Sequence, residues 1–145
     1  MAQLLPQNFK NHARYVPLYH FVLFFMLVAL LARATWAMIG HFSADTVSQF
    51  LLVAAVVLAA FFARSFALTA QDRVIRLEMK LRMQAVTPQL MPRFAEFTTG
   101  QLVALRYAGD VELQGLAQQV LDGKLTRGAD IKKQVRDWQA DRLRV

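Results

Sequence analysis

Two long stretches of the chain are almost free of charged residues, and this pattern constrains the fold more than any other feature. Residues 15–44 contain one charged side chain, Arg33, and residues 46–71 contain one, Arg64. The remaining charges lie before, between or after these stretches, whereas soluble domains have charges mixed through the chain. Since 56% of the 145 residues are hydrophobic, the pattern predicts a small membrane protein and excludes an ordinary soluble domain.

Each stretch is long enough to cross a bilayer as a helix. We predict spans at 15–39 and 47–68, because a hydrocarbon core of about 30 Å requires roughly 20 apolar residues. Gly40 ends the first helix, and Ser43 or Asp45 caps the next. So short a connection predicts an antiparallel hairpin. The first apolar run is longer than the core of a cleaved signal peptide, about 7–15 residues, so we expect it to be retained.

The basic residues predict the orientation of this hairpin. Lys10 and Arg14 precede the first span, basic residues at 73, 76, 80 and 82 follow the second, and the loop has neither Lys nor Arg. The positive-inside rule then predicts that both termini are cytoplasmic. We divide the chain into a cytoplasmic segment 1–14, a transmembrane hairpin 15–68 and a cytoplasmic helical region 69–145.

No proline or glycine lies between positions 47 and 86, so one helix is predicted to run from the membrane into water. Beyond the membrane it carries two apolar stripes at helical spacing. One contains Val74, Leu77 and Leu81 with alanines at 70 and 85; the other contains residues 75, 79, 83 and 86. Two stripes indicate contact on both sides of the helix, either within the protein's own small domain or with a partner helix from the same or another protein, and the spacing does not decide between these alternatives. We assign Val74, Leu77 and Leu81 to partner binding.

The rest of the region 69–145 is predicted to be helical. Prolines at 88 and 92 end the long helix, and the pair Thr98 and Gln101 has the spacing of a capping box. Further helices are expected after Asp110 and after Thr126, the last one with apolar residues at 131, 135 and 138. No segment alternates with period two, so no strand is predicted. The fold class is therefore all-α, a two-helix transmembrane hairpin with a small helical cytoplasmic C-terminal tail.

Few side chains are candidates for chemistry. With no cysteine, the chain has no disulfide, thiolate metal site or thiol catalysis, and it shows no phosphate loop, metal-ligand spacing or nucleophile motif. We predict no catalytic residue, no metal and no cofactor, and identify no small-molecule substrate. His20, near the start of the first span, is the one cofactor candidate, as a haem ligand in an oligomer; the alternative is an interfacial histidine bonded to water, lipid or a carbonyl.

Arginines near the membrane are candidates for lipid contact. Arg33 and Arg64 lie near span ends, where they extend to the interface or bind an anionic headgroup. Arg73 and Arg76 follow the second span, but Asp72 and Glu78 lie among them and weaken the field. Positive-inside topology alone accounts for this cluster.

A sequence pI of about 10.4 raises nucleic-acid binding as another alternative. The last segment is basic around Trp138, but acidic residues interrupt it and Trp138 is in phase with a predicted core stripe. The helices on either side of Gly109 lack a basic recognition face, with Arg106 nearly alone there. We therefore expect no nucleic-acid partner.

Several segments carry a family resemblance. They are residues 8–20 (NFKNHARYVPLYH), 62–78 (FARSFALTAQDRVIRLE), 99–107 (TGQLVALRY) and 131–138 (IKKQVRDW). Together they resemble a family of small bacterial two-span membrane proteins of unknown function, some of whose members carry the name transporter permease. The resemblance implies the two-span topology and a bacterial inner membrane. It implies no activity, ligand or catalytic residue.

These observations predict a non-catalytic accessory or scaffold protein that acts through protein–protein contacts. Its expected partners are the lipid bilayer and either another membrane protein or further copies of itself. The alternatives are a homo-oligomer that binds haem through His20 or binds lipid, and a membrane-tethered nucleic-acid binder.

Overall fold

Two antiparallel helices form the N-terminal half of the described chain. The computed structural model describes residues 8–9 and 16–140. A π-helical turn, Leu18–Leu23, leads into α1, Phe24–Gly40, and α2 follows at Ala44–Val86. The Tyr19 hydroxyl donates to the carbonyl of Ala60 at 3.0 Å, which fixes the start of the first helix against the middle of α2. The predicted hairpin is therefore confirmed in its helical form.

The connection between the helices is only three residues long, His41 to Ser43, and it is closed by hydroxyl groups. The Ser43 hydroxyl accepts the backbone N–H of Thr46 at 3.3 Å, and the Thr46 hydroxyl donates to the carbonyl of His41 at 2.7 Å. Ser43 rather than Asp45 therefore caps α2, in accord with the preference of serine for this position.

Within the described residues, two helices are long and apolar enough to cross a membrane, Leu18–Gly40 and Ala44–Val86. Few residues of these helices are buried by protein, since 6% of the most apolar window of the first and 0% of that of the second is buried. A core helix of a soluble protein would have most of this window buried. As predicted, α2 continues without interruption for 43 residues, roughly 65 Å at 1.5 Å per residue.

The chain divides between Ala67 and Leu68 into two compact units. In the second unit the end of α2 is followed by a 3-10 helix, Pro88–Glu96, and by α3, Thr99–Leu105, α4, Asp110–Leu121, and α5, Gly128–Gln134. Their apolar faces meet in one buried cluster, to which α2 contributes Ile75, Met79 and Met83. The region after the hairpin therefore forms a core of its own, and its described part contains helices and no strand.

Two helix ends in this unit follow the sequence signals. Thr98 and Gln101 form the predicted capping box, with bonds of 3.2 and 2.9 Å between side chains and backbone N–H groups. Gly123, directly after Asp122 at the end of α4, has φ +75°, a conformation that favours glycine.

The last helix differs from its prediction. It begins at Gly128, with Arg127 and not Thr126 at the N-cap, and ends at Gln134, so Val135 and Trp138 lie beyond it. The backbone after α5 pairs instead with the turn after α3. The N–H of Gly109 donates to the backbone carbonyl of Asp137, and the N–H of Gln139 donates to the backbone carbonyl of Tyr107, both at 2.8 Å. This pairing satisfies backbone groups that another helical turn would have used, and it still buries Val135.

Candidate partner-binding surface

One side of α2 beyond Leu68 forms part of the domain core. Ile75, Met79 and Met83 are 3%, 2% and 0% exposed and belong to the same apolar cluster as Phe94 and Phe97. Of the two stripes predicted on this helix, this one packs within the protein's own domain.

The opposite side of the same helix segment is apolar and uncovered. Val74, Leu77 and Leu81 are 55%, 59% and 59% exposed, and Ala70, one turn earlier, is exposed as well. Together, Ala70, Val74, Leu77 and Leu81 are called the α2 stripe below. Their spacing of four, three and four residues places them on one helix face. The structure therefore brings together the three residues assigned to partner binding from the sequence and leaves them accessible.

Charged side chains border the α2 stripe on both sides. On one side Arg73, Arg76 and Lys80 line a shallow groove of about 450 Å³ with Leu77, Phe94 and Ala95. On the other side Glu78 and Arg82 line a second groove of about 210 Å³ with Met79, Arg106, Gln139 and Ala140. An apolar centre with a polar border is typical of protein interfaces.

The two arginines predicted to contact lipid just after the hairpin have different surroundings. Arg76 donates to the carbonyl of Phe97 at 3.4 Å, and its guanidinium lies 5.4 Å from the centre of the Phe94 ring. Arg73 is exposed. Arg76 therefore has a packing role within the domain, whereas Arg73 is directed outward.

Arg82, which the sequence shows only as one of several basic residues after the second span, makes four hydrogen bonds to the turn between α3 and α4. Its Nε and Nη2 donate to the Asp110 carboxylate at 2.8 and 2.6 Å, and Nη1 and Nη2 donate to the carbonyls of Arg106 and Ala108 at 3.1 and 2.6 Å. These contacts hold α2 to the turn between α3 and α4. In the sequence, Arg82 is one of several basic residues after the second predicted span, where the positive-inside rule alone accounts for them. Its packing role is therefore not evident from the sequence.

The Glu112 carboxylate is a second contact that the sequence does not reveal. It accepts the backbone N–H groups of Arg136 and Asp137 at 3.1 Å each, and that of Gly109 at 3.4 Å. A Cβ at Gly109 would meet the exposed Asp137 side chain, which would have to shift to admit a larger residue. The segment after α5 is therefore held to the start of α4 by backbone groups, which carry no sequence signature.

The two arginines of the hairpin have different surroundings. Arg64 is half-buried, with its guanidinium 5.9 Å from the centre of the Tyr19 ring, and Arg33 is exposed on α1. Between the two helices, a depression of about 280 Å³ is lined by side chains that are apolar except for one tyrosine. They are Tyr19, Leu23, Phe24, Leu27, Val28, Leu31, Val57, Ala60 and Phe61. Nothing in it would orient a polar ligand.

His20 lies in the π-helical turn, with Nδ1 3.0 Å from the carbonyl of Val16 and its ring edge against Tyr19 at 5.4 Å. No group of three or more His, Cys, Asp or Glu residues suited to a metal ion is found in the described part of the chain.

The basic C-terminal part packs its aromatic residues inward. Trp138 lies against Tyr107 with ring centres 5.0 Å apart, and its indole N–H donates to the carbonyl of Val135 at 3.1 Å. Arg106 and Lys132 lie 4.9 and 5.3 Å from the centre of the same tyrosine ring. These side chains therefore form a packed cluster in which Tyr107 is buried and Trp138 is partly exposed.

The sequence pattern of a family of unknown function (DUF6526) matches residues 1–145, the whole chain. The protein belongs to this family. Comparisons with curated proteins and with solved structures give no match. Membership in DUF6526 brings no named activity.

Proposed function

We propose that this DUF6526 protein is a non-catalytic accessory or scaffold protein of the bacterial inner membrane that acts through protein–protein contacts. Its hairpin is embedded in the bilayer with both termini cytoplasmic, and the α2 stripe docks a partner at the cytoplasmic face. The observation that carries the proposal is the exposure of Val74, Leu77 and Leu81 on a helix whose other side is fully packed.

The exposed apolar surface of the hairpin supports the membrane part of the proposal. Large side chains such as Leu18, Trp36 and Leu52 are 74%, 81% and 67% exposed. In water such a surface favours association, whereas the hydrocarbon core of a bilayer solvates it.

The exposed leucines support the docking part. Monomeric soluble domains rarely leave neighbouring large apolar side chains uncovered on one rigid face, and such faces mark interaction sites. Because α2 is a continuous helix, the α2 stripe is rigid before binding, and little conformational entropy is lost on docking.

The test is to charge the α2 stripe with the double substitution Leu77→Glu and Leu81→Glu. Full-length protein is extracted from native membranes in a gentle detergent, and the mass and composition of the intact particle are measured. We expect the wild type to purify with its partner and the double variant to lose it, because burying two carboxylates in an apolar contact is unfavourable.

Val111→Glu is the matched control, because Val111 is 97% exposed on α4 and is not part of the α2 stripe. This variant is expected to keep the wild-type particle, and all three proteins are expected to remain in the membrane fraction. A double variant that retains the full particle mass would contradict the proposed docking surface.

A further inference from the structure

The α2 stripe has the spacing of a short coiled-coil seam. In heptad notation Ala70 and Leu77 occupy d positions, and Val74 and Leu81 occupy a positions. A β-branched residue at a with leucine at d favours two-stranded parallel coiled coils. All four residues are exposed, so the seam has no partner within the described chain.

The charges that border this seam are complementary to those of a second copy. Arg73 occupies a g position and Glu78 the following e position, the two positions that face each other across a parallel pair. Neither side chain takes part in an ion pair or hydrogen bond among the described residues. In a parallel pair, Arg73 of each copy lies opposite Glu78 of the other, which gives two symmetric ion pairs from one sequence.

Insertion into a membrane gives two copies of α2 the parallel orientation that this coiled-coil seam requires. Every copy of a chain enters the bilayer with the same topology, so the α2 helices of two neighbouring copies are parallel. Confinement to a membrane also raises their effective concentration, which compensates for a seam of only four apolar layers.

We propose that the partner docked on the α2 stripe is a second copy of this chain, paired in parallel through Val74 and Leu77 and by reciprocal Arg73–Glu78 ion pairs. This inference rests on the proposed function and identifies the occupant of the same surface. A symmetric interface of this kind closes on itself, so it yields a dimer and not an open filament.

Disulfide crosslinking in native membranes tests the contact directly, because the chain has no cysteine of its own. Leu77→Cys places one thiol at a d position, where the two copies of a parallel pair approach most closely. We expect oxidation to give a disulfide-linked dimer of this variant. Val111→Cys, the exposed control on α4, is expected to stay monomeric.

Charge reversal distinguishes self-pairing from every other occupant. In the Leu77→Cys background, Arg73→Glu alone or Glu78→Arg alone turns two attractive pairs into two repulsive ones. Each should lower the dimer fraction about fivefold, a size expected for two exposed ion pairs. Combining both changes in one chain, or co-expressing the two single variants, restores complementarity and should restore the dimer.

The outcomes separate this inference from the proposed function. If charging Leu77 and Leu81 halves the particle mass, and the reversals behave as described, a second copy occupies the surface. If charging the stripe removes a different protein and Leu77→Cys gives no dimer, docking stands and self-pairing is wrong. If the double charge reversal does not recover the dimer lost in the single variants, the Arg73–Glu78 pairing is wrong.

Discussion

At the scale of single residues, the described polar contacts stabilise the domain through a few side chains that reach backbone carbonyls. Arg82 binds the Asp110 carboxylate and two carbonyls of the α3–α4 turn at once, with its side chain only 19% exposed. A planar guanidinium can make all these bonds together, whereas a lysine ammonium cannot match the geometry. The contact is therefore specific to arginine, although its sequence neighbours are ordinary basic residues.

We expect Arg82→Met to destabilise the domain by roughly 1–3 kcal/mol, the range for losing hydrogen bonds to a charged group. Asp110→Asn should have a smaller effect, because the Asp110 side chain is 58% exposed and water replaces part of the contact. The measurement is denaturant unfolding in mild detergent, followed by Trp138 fluorescence in a Trp36→Phe background, since the chain has two tryptophans.

Arg93→Met is the control for this measurement. Arg93 hydrogen-bonds Glu96 at 2.8 and 2.7 Å, and this contact lowers the pKa of the Glu96 carboxyl below its ordinary value. The contribution of this contact to folding stability is present above the unfolded-state pKa of Glu96 and is lost as the pH falls through the lower folded-state pKa. The Arg93 and Glu96 side chains are 42% and 50% exposed, and Arg93 reaches only one carbonyl among the described residues, that of Leu121 at 3.3 Å. Arg93→Met should therefore change stability less than Arg82→Met. An equal effect of the two would mean that Arg82 has no special role.

At the scale of secondary-structure elements, helices with strong periodicity were predictable and the pairing after α5 was not. The absence of proline and glycine over residues 47–86 indicated one long helix, and Ala44–Val86 is such a helix. Residues 131, 135 and 138 also have helical spacing, yet the helix ends at Gln134. Backbone bonds to the turn at Gly109 compete with the last helical turn, and side-chain periodicity contains no information about them.

The proposed membrane topology of the hairpin can be tested with single cysteine substitutions. Phe42 in the loop and Val111 on α4 are 81% and 97% exposed, so a cysteine at either position is accessible within the protein. In intact cells, a membrane-impermeant thiol reagent should label Phe42→Cys and spare Val111→Cys. After lysis it should label both. Labelling of Val111→Cys in intact cells would contradict a cytoplasmic domain.

At the scale of the whole molecule, the distribution of charged residues along the chain predicts two apolar helices. Tertiary packing determines which face of α2 is exposed. The two stretches with a single charged residue each were sufficient to predict two apolar helices, because few other structures accommodate such stretches. The two stripes of α2, by contrast, are similarly apolar, and only the position of Phe94 and Phe97 in the folded domain selects Ile75, Met79 and Met83 for the core. The sequence assigned Val74, Leu77 and Leu81 to partner binding without deciding which stripe the protein's own domain buries, and in the fold these three side chains are exposed.

The exposed leucines of α2 also have a consequence for the lifetime of the protein in the cell. Chaperones and proteases act on chains that display apolar surface, so a copy without a partner is a target for degradation while an assembled copy is protected. We expect the half-life after translation is stopped to be shorter for Arg73→Glu, which weakens pairing but keeps both leucines, than for Val111→Glu, as pulse-chase labelling would measure. Turnover would then set the amount of the protein by the number of occupied docking surfaces, so that excess copies are removed without any dedicated regulator.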